Sequence, residues 1–311
     1  MSLLVIGDIM FDIVARIDGP PFAGSDHRAK ISFLLGGSGA NQSIWASHLG
    51  VPSKFCGCVH ADDYETIIDQ FVEYGVNATL QQVASHSGRV VCIVSDDGER
   101  SFITDRGAND LLQLKFLSIP LMNDVDHVHI SGHLLYQEHI YHDIIDFIAK
   151  CKSKNIMISM DIGSASFVRD VGANRFNVIA ESCDFLFANN DELKAISNDN
   201  IIKNEGQHQH SCHGIIILKN GADGACCVDS YNNIIAESNG VEVSVVDSTG
   251  AGDAFFAGFI SAYRKTKDMT IALTEGVKMG ALCCTMVGAR PGSAELMLGF
   301  IRCINHYTND N

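Results

Sequence analysis

Basic residues are scarce in this chain. Its 22 lysines and arginines stand against 37 aspartates and glutamates, a formal net charge of −15 over 311 residues. A surface this acidic repels phosphate backbones and anionic lipid, so neither nucleic acid nor a membrane is an expected partner. A bound nucleotide would have to be held by local backbone N–H groups and metal ions. Long hydrophobic runs are missing too. No apolar stretch approaches the ~18 residues of a membrane span, and the N-terminus shows no basic region followed by a long apolar one. A soluble, cytoplasmic protein is the expectation. The eleven cysteines include the doublets Cys226–Cys227 and Cys283–Cys284 and the pair Cys56 and Cys58, but no CxxC…CxxC array. They read as small buried hydrophobes in a reducing compartment. Also absent is G-x-G-x-x-G after the first strand, because Gly7 is followed by Asp8-Ile9-Met10. That excludes a dinucleotide-dependent oxidoreductase.

What is present fits a globular protein, with 46% hydrophobic and 19% charged residues. Leu3–Gly7 reads as a buried first strand. Phe11, Ile13 and Ala15 then alternate with Asp12, Val14 and Arg16, and a second alternating stretch runs from Arg28 to Leu35. Val90–Ser95 and Ser101–Thr104 flank the turn-like Asp96-Asp97-Gly98-Glu99. These four half-polar strands are expected to form a small sheet of their own. Beyond them, strand-like Val128–Ser131, Ile156–Asp161, Phe185–Ala188 and Gly214–Lys219 alternate with helical patterns, clearest at Ile140–Lys150 and Ala251–Arg264. Such alternation predicts an α/β fold with a parallel sheet that binds ligands beyond the carboxyl ends of its strands. The polar segment Asn198–His213, with His208, His210, Cys212 and His213, has no structural-zinc spacing and reads as a solvated loop.

The chemistry concentrates at Asp247-Ser248-Thr249-Gly250-Ala251-Gly252-Asp253, just ahead of an apolar helix. Gly250 and Gly252 permit close backbone approach, and the first N–H groups of a helix lack intrahelical partners. Gly250, Ala251, Gly252 and Asp253 therefore describe an anion hole with a carboxylate in the first turn. Phosphoryl transfer to an alcohol needs that pairing: N–H groups for the transferring oxygens and a base for the hydroxyl. The plainer alternative is a tight turn whose aspartate complements the helix dipole.

This string resembles the C-terminal signature of the ribokinase-like, or PfkB, family of carbohydrate kinases. Gly36-Gly37-Ser38-Gly39-Ala40-Asn41-Gln42 is similar to that family's N-terminal glycine signature, and Asn189-Asn190-Asp191-Glu192 to its N-x-x-E motif. Lys219-Asn220-Gly221-Ala222-Asp223-Gly224 and Gly288-Ala289-Arg290-Pro291-Gly292 fit its nucleotide-side turn and closing loop. The resemblance runs from about Leu3 to about Gly292. It implies a single domain over residues 1–311, a three-layer sandwich with a mostly parallel central sheet and a small β lid formed by about 11–35 and 88–105. It implies an ATP-dependent kinase with Asp253 as general base beside the Gly250–Asp253 anion hole. Asp12, Gly36, Gly37, Asn41 and Arg106 would bind a sugar-like substrate, and Asn189, Lys219, Gly221, Gly224 and Thr249 the nucleotide. Mg²⁺ would be organised by Glu192 with Asn189, although Asn189–Glu192 also reads as a helix N-terminus with an early acid. K⁺ would lie at Asp247 and Thr249 with backbone oxygens near Cys283, Met286 and Gly288. A homodimer through the lid is a further expectation.

Three departures bear on substrate. Where ribokinases carry an asparagine, a lysine and a glutamate toward ribose, this chain has Met10, Ser38 and His133. The D-x-N-x-R string of ketodeoxygluconate kinases is replaced after Asp161 by Ile-Gly-Ser-Ala-Ser. The expected acceptor is thus a sugar or derivative other than free ribose. Arg106 is suited to an acidic or phosphorylated substituent, or to a surface salt bridge. Two alternatives stand beside this: a nucleoside kinase with Phe11, Phe33 and Phe102 stacking a base, and an inactive sugar-binding regulator.

Overall fold

Leu3, Leu4, Val5 and Ile6 form a run without a polar face, stable only where both faces of a sheet are covered. In the computed structural model, which describes residues 1–17, 19, 24, 26–94, 100–114, 119–197 and 212–292, all four are fully buried. They lie in β1 (Ser2–Ile6). The next strands are β2 (Met10–Ile17), β3 (Ala29–Gly36), β4 (Ser53–His60), β5 (Asn77–Val83), β6 (Gly88–Val94) and β7 (Arg100–Asp105). The chain continues through β8 (Val125–Ser131), β9 (Met157–Asp161), β10 (Phe185–Asn189), β11 (Ile215–Lys219), β12 (Ala225–Val228) and β13 (Ile234–Ser238). Helices are α1 (Ser38–His48), α2 (Tyr64–Glu73), α3 (Glu138–Lys152) and α4 (Ala165–Val171). They are followed by α5 (Ala173–Ala180), α6 (Asn190–Ile196), α7 (Ala251–Thr266) and α8 (Met269–Cys284).

Nine strands form the main sheet in the order β13-β12-β11-β10-β9-β8-β1-β4-β5. Every pairing from β11 to β5 is parallel, and the β12–β13 hairpin closes one edge antiparallel. Alternate side chains of β1 feed two cores. Leu3 and Val5 join Ile44, Trp45, Phe256 and Leu273 on one face, and Leu4 and Ile6 join Ile144, Phe147, Phe176 and Leu193 on the other. That gives the three layers. Helix α3 shows why its segment is helical: Ile140, Ile144, Phe147, Ile148 and Cys151 repeat at helical spacing and are its buried residues. Fully burying one such side chain stabilises the fold by about 1.5–3 kcal/mol.

The four half-polar strands form a second sheet in the order β3-β2-β6-β7. Its registers put Ile13 beside Phe33 and Val91, and Val91 beside Ile103, on one face. Asp12 alternates to the other face. The turn expected at Asp96–Glu99 lies outside the described residues, as does most of the Asn198–His213 segment. Of the ten described cysteines, all free, Cys226 and Cys284 are only half-buried, so the small-core expectation holds for the other eight. Among the described residues, no helix is long and apolar enough to cross a membrane.

Candidate active site

Parallel strands end together, and their carboxyl ends bring Asp8, Ser131, Asp161, Asn189 and Lys219 to one rim of the sheet. Helices α1 and α7 both begin beside this rim, and their N-termini are treated differently. At α1 the Asp8 carboxylate accepts from Gly39 N at 3.3 Å and from Ser131 Oγ at 3.1 Å, filling that helix end with the protein's own anion. Burial would raise the pKa of Asp8, but Arg106 and the Gly39 N–H help to outweigh it, and the net shift is downward. At α7 the N-cap residue is Gly250, which has no side chain to cap the helix. Gly250 takes a left-handed conformation there (φ 79°), and a Cβ at this position would meet the Ala289 Cα at 2.6 Å. Ala251 N donates a long bond of 3.3 Å to Ser248 O, so its N–H is already partly engaged.

Asp253 lies in the first turn of α7 and is buried. Ser38 Oγ donates to its Oδ1 at 2.7 Å, and Asn41 Nδ2 to its Oδ2 at 3.2 Å. The glycine signature and the DSTGAGD string, far apart in sequence, therefore meet on one carboxylate. Burial raises the pKa of Asp253, the Ser38 and Asn41 bonds lower it, and Asp161 and Asp8 raise it again, to about 7. This differs from an ordinary low-pKa carboxylate.

The residues expected to bind the acceptor also converge. Asp12 on β2 lies directly over Gly36, where any Cβ would collide with its carboxylate. Its Oδ1 is buried without a partner. Burial lifts its pKa to about 7, against the pull of Arg290 and with a push from Asp8. Gly37 (φ 94°) is the N-cap residue of α1. Arg106 is buried at 7% exposure rather than on the surface: Nε pairs with Asp110 at 2.7 Å, and Nη2 has no partner. Of the aromatics offered for base stacking, Phe11 and Phe33 alternate to the lid face opposite Asp12, and Phe102 shares its face.

On the other side of the rim, an open cavity of about 430 Å³ is lined by Asn189, Asn190, Asp191, Lys219 and Gly221, among others. Gly224 is set back, closing a turn through its O to Asn220 N at 2.9 Å. Asn189 and Glu192 form a reciprocal capping box on α6, each donating a backbone N–H to the other's side chain at 2.9 Å. Lys219 Nζ sits on both oxygens of Asp161 at 2.9 and 3.2 Å. Burial disfavours this ammonium, but Asp161 and Glu192 more than compensate and raise its pKa.

The residues expected around a monovalent cation form one knot. Asp247 accepts from Thr249 N at 2.8 Å and from Gly288 N at 3.1 Å, Cys283 Sγ reaches Thr249 O at 3.3 Å, and Met286 N donates to Cys283 O at 3.1 Å. Sequence reasoning missed Asp8, Asp161 and Arg290 as site residues. The first two carried a signal, a lone acid at the end of an apolar strand. Arg290 carried none beyond its glycine neighbours.

A helix end with a glycine N-cap and, in its first turn, a carboxylate bonded to residues of α1 suits transfer of a phosphoryl group to an alcohol. The comparisons with known proteins fall in that class. The sequence model described as pfkB family carbohydrate kinase matches residues 1–296, and the chain belongs to this family. It is 27% identical over 307 residues to an ATP-dependent ribose-1-phosphate kinase of Halopiger xanaduensis, covering 97% of this chain and 98% of that one. A provisionally designated ribokinase II of E. coli, solved with ATP and Mg²⁺, superposes with a TM-score of 0.82 at 22% identity, covering 97% and 99%. An adenosine kinase of Sinorhizobium meliloti does so with 0.80 at 19%, covering 96% and 98%. The ribokinase-like α/β fold and the carbohydrate-kinase assignment expected from sequence are thereby met.

Proposed function

We propose that the protein transfers the γ-phosphoryl group of ATP to a hydroxyl of a small sugar derivative other than free ribose. Asp253 takes the hydroxyl proton, the alcohol oxygen bonds to phosphorus, and the bond to the β-phosphate oxygen breaks so that ADP leaves with its electron pair. The N–H groups of Gly250 to Asp253 receive the charge on the transferring oxygens. The observation that carries this is the Asp253 carboxylate, held by Ser38 and Asn41 in the first turn of a helix whose N-cap is a glycine.

Asp12, with its unpartnered buried oxygen, Gly36, Gly37, Asn41 and Arg106 bind the acceptor. Asn189, Lys219, Gly221, Gly224 and Thr249 bind the nucleotide, in keeping with the cavity beside the first three. The donor set at the α6 N-terminus fits Mg²⁺: Glu192 and Asn189 would hold the ion largely through water, where it neutralises charge on the phosphates. The Asp247–Thr249–Cys283–Met286–Gly288 knot would hold K⁺. Residues 11–35 and 88–105 act as the lid of a single domain, and the exposed Ile31, Phe33 and Ile103 suit a homodimer through its outer face.

The surroundings of Met10, Ser38 and His133, where the resemblance places polar contacts to ribose, support this reading. Met10 Sδ is met by Asn109 Nδ2 at 3.4 Å, Ser38 is committed to Asp253, and His133 packs edge-on against Phe167. A panel of ribose, ribose 1-phosphate, fructose, a keto-sugar acid and adenosine, with ATP and Mg²⁺, should release ADP with a sugar derivative other than ribose as the best acceptor by kcat/KM. Ribose ahead by tenfold or more would overturn the acceptor assignment. Adenosine ahead would favour a nucleoside kinase, against the alternation that turns Phe11 and Phe33 away from Asp12.

A further inference from the structure

We propose that Arg290, in the closing loop, is a positioning residue that orients Asn41 toward Asp253 and steadies Asp12, so that acceptor binding and the base depend on one guanidinium. The inference rests on the proposed role of Asp253.

Its basis is the polarity of a chain of hydrogen bonds. Arg290 Nε donates to Asn41 Oδ1 at 3.2 Å, and Asn41 Nδ2 donates to Asp253 Oδ2 at 3.2 Å. A guanidinium only donates, so the Asn41 oxygen must face it and the Asn41 amide nitrogen must face the carboxylate. Without Arg290 the amide can rotate, presenting its oxygen to Asp253. The other arms fix the guanidinium in place: Nη1 reaches Gln70 Oε1, and Nη2 reaches Gly36 O at 3.5 Å, directly beneath Asp12. Arg290 is also the positive neighbour that opposes the raised pKa of Asp12. The loop is itself secured where the phosphoryl group would lie. Gly288 N is bound to Asp247, Ala289 packs on Gly250, and Ala289 O accepts from Trp45 Nε1 at 2.9 Å. Arg290 thus ties the helix end at α7 to the acceptor floor.

Two carboxylates respond to pH here. Asp253 faces Asp161, Asp8, Lys219 and Cys283, and Asp12 faces Asp8 and Arg290. Arg290→Gln is expected to raise the acceptor KM about tenfold, the scale of one lost charged hydrogen bond, and leave the ATP KM within about twofold. The acid limb of kcat/KM should move up by roughly half a pH unit or more, as Asp253 loses a donor and Asp12 its cation. Arg290→Lys keeps the charge and loses the fork, so it should retain most of the acceptor defect; full recovery with lysine would overturn the relay. Tyr74→Phe removes the 3.5 Å bond to Pro291 O in the same loop and the phenol hydroxyl near Arg290, while keeping every hydrogen bond of the guanidinium, and should behave as wild type. An equal defect in that variant would assign the effect to loop anchoring and overturn the proposal. An Arg290→Gln enzyme with unchanged acceptor KM and acid limb, alongside an inactive Asp253→Asn, would defeat this inference alone. An active Asp253→Asn would instead defeat the assignment of the base.

Discussion

Asp253 is held between opposed local forces. Burial and the neighbouring Asp161 and Asp8 favour its protonated form, while the hydroxyl of Ser38 and the amide of Asn41 favour the carboxylate, leaving a pKa of about 7. A base serves best when its pKa lies near the working pH. Activity is therefore expected to fall as pH drops below about 7, with Asp12, also near 7, titrating alongside it. Ser38→Ala removes a donor to the carboxylate and should carry the acid limb of kcat/KM upward by about half a unit to one unit. Threonine at the same position should restore it, and an unmoved limb in the alanine variant would separate Ser38 from the base. The sign for stability is the reverse of that for activity. A carboxyl whose folded pKa exceeds its unfolded 3.8 adds stability that is complete below about pH 4 and lost as pH rises through about 7. Asp253→Asn should accordingly melt higher than wild type at pH 8 and lose that advantage at pH 4.

At the scale of elements, β8 shows what alternation alone conveys. Val128 and Ile130 face one core, as an apolar strand should, while His127, His129 and Ser131 line the opposite side. Nothing in the sequence pairs the two histidines, yet both bond the Ser159 hydroxyl of β9 at 2.7 Å. Burial, helped by Arg264 and Lys267, pushes the His127 pKa down to about 3, and burial also pushes His129 well below its ordinary value. Both are neutral in the fold. Their contribution to stability is therefore complete above about pH 6.5 and declines as acid favours the unfolded chain, for His127 through the window down to about 3. Ser159→Ala leaves two buried ring nitrogens without their shared partner and should cost about 1–3 kcal/mol in urea unfolding at pH 8. A variant as stable as wild type would mean that the hydroxyl bridges nothing of consequence. The same contrast explains how much of the site was legible. The buried strands, the half-polar strands of the small sheet and the glycine strings carry local signals, in periodicity and in backbone demands. Arg290 reaching Asn41, and Asp8 filling the end of α1, are meetings made by the fold between segments whose local sequence has no reason to mention each other.

Across the whole molecule, the residues proposed to meet the acceptor are divided: Asp12 lies on β2 of the small sheet, and Asn41 and Asp253 lie on α1 and α7, which pack on the large one. An acceptor that binds both draws them together and favours a closed form. Hydrogen exchange in β2, β3, β6 and β7 should slow when a saturating acceptor is added, and identical rates with and without it would count against closure. Closure would also exclude water from the donor phosphate, limiting hydrolysis of ATP in place of transfer. Asp253 is the carboxylate on which the proposed chemistry depends. The most direct test is turnover of Asp253→Asn with the best acceptor, ATP and Mg²⁺, read as ADP release beside an independent measurement of ATP binding. Loss of a general base predicts a fall of about 10²–10⁴-fold in kcat, with ATP affinity within a few-fold of wild type. A variant that keeps more than about a tenth of wild-type turnover would show that Asp253 does not act as the general base.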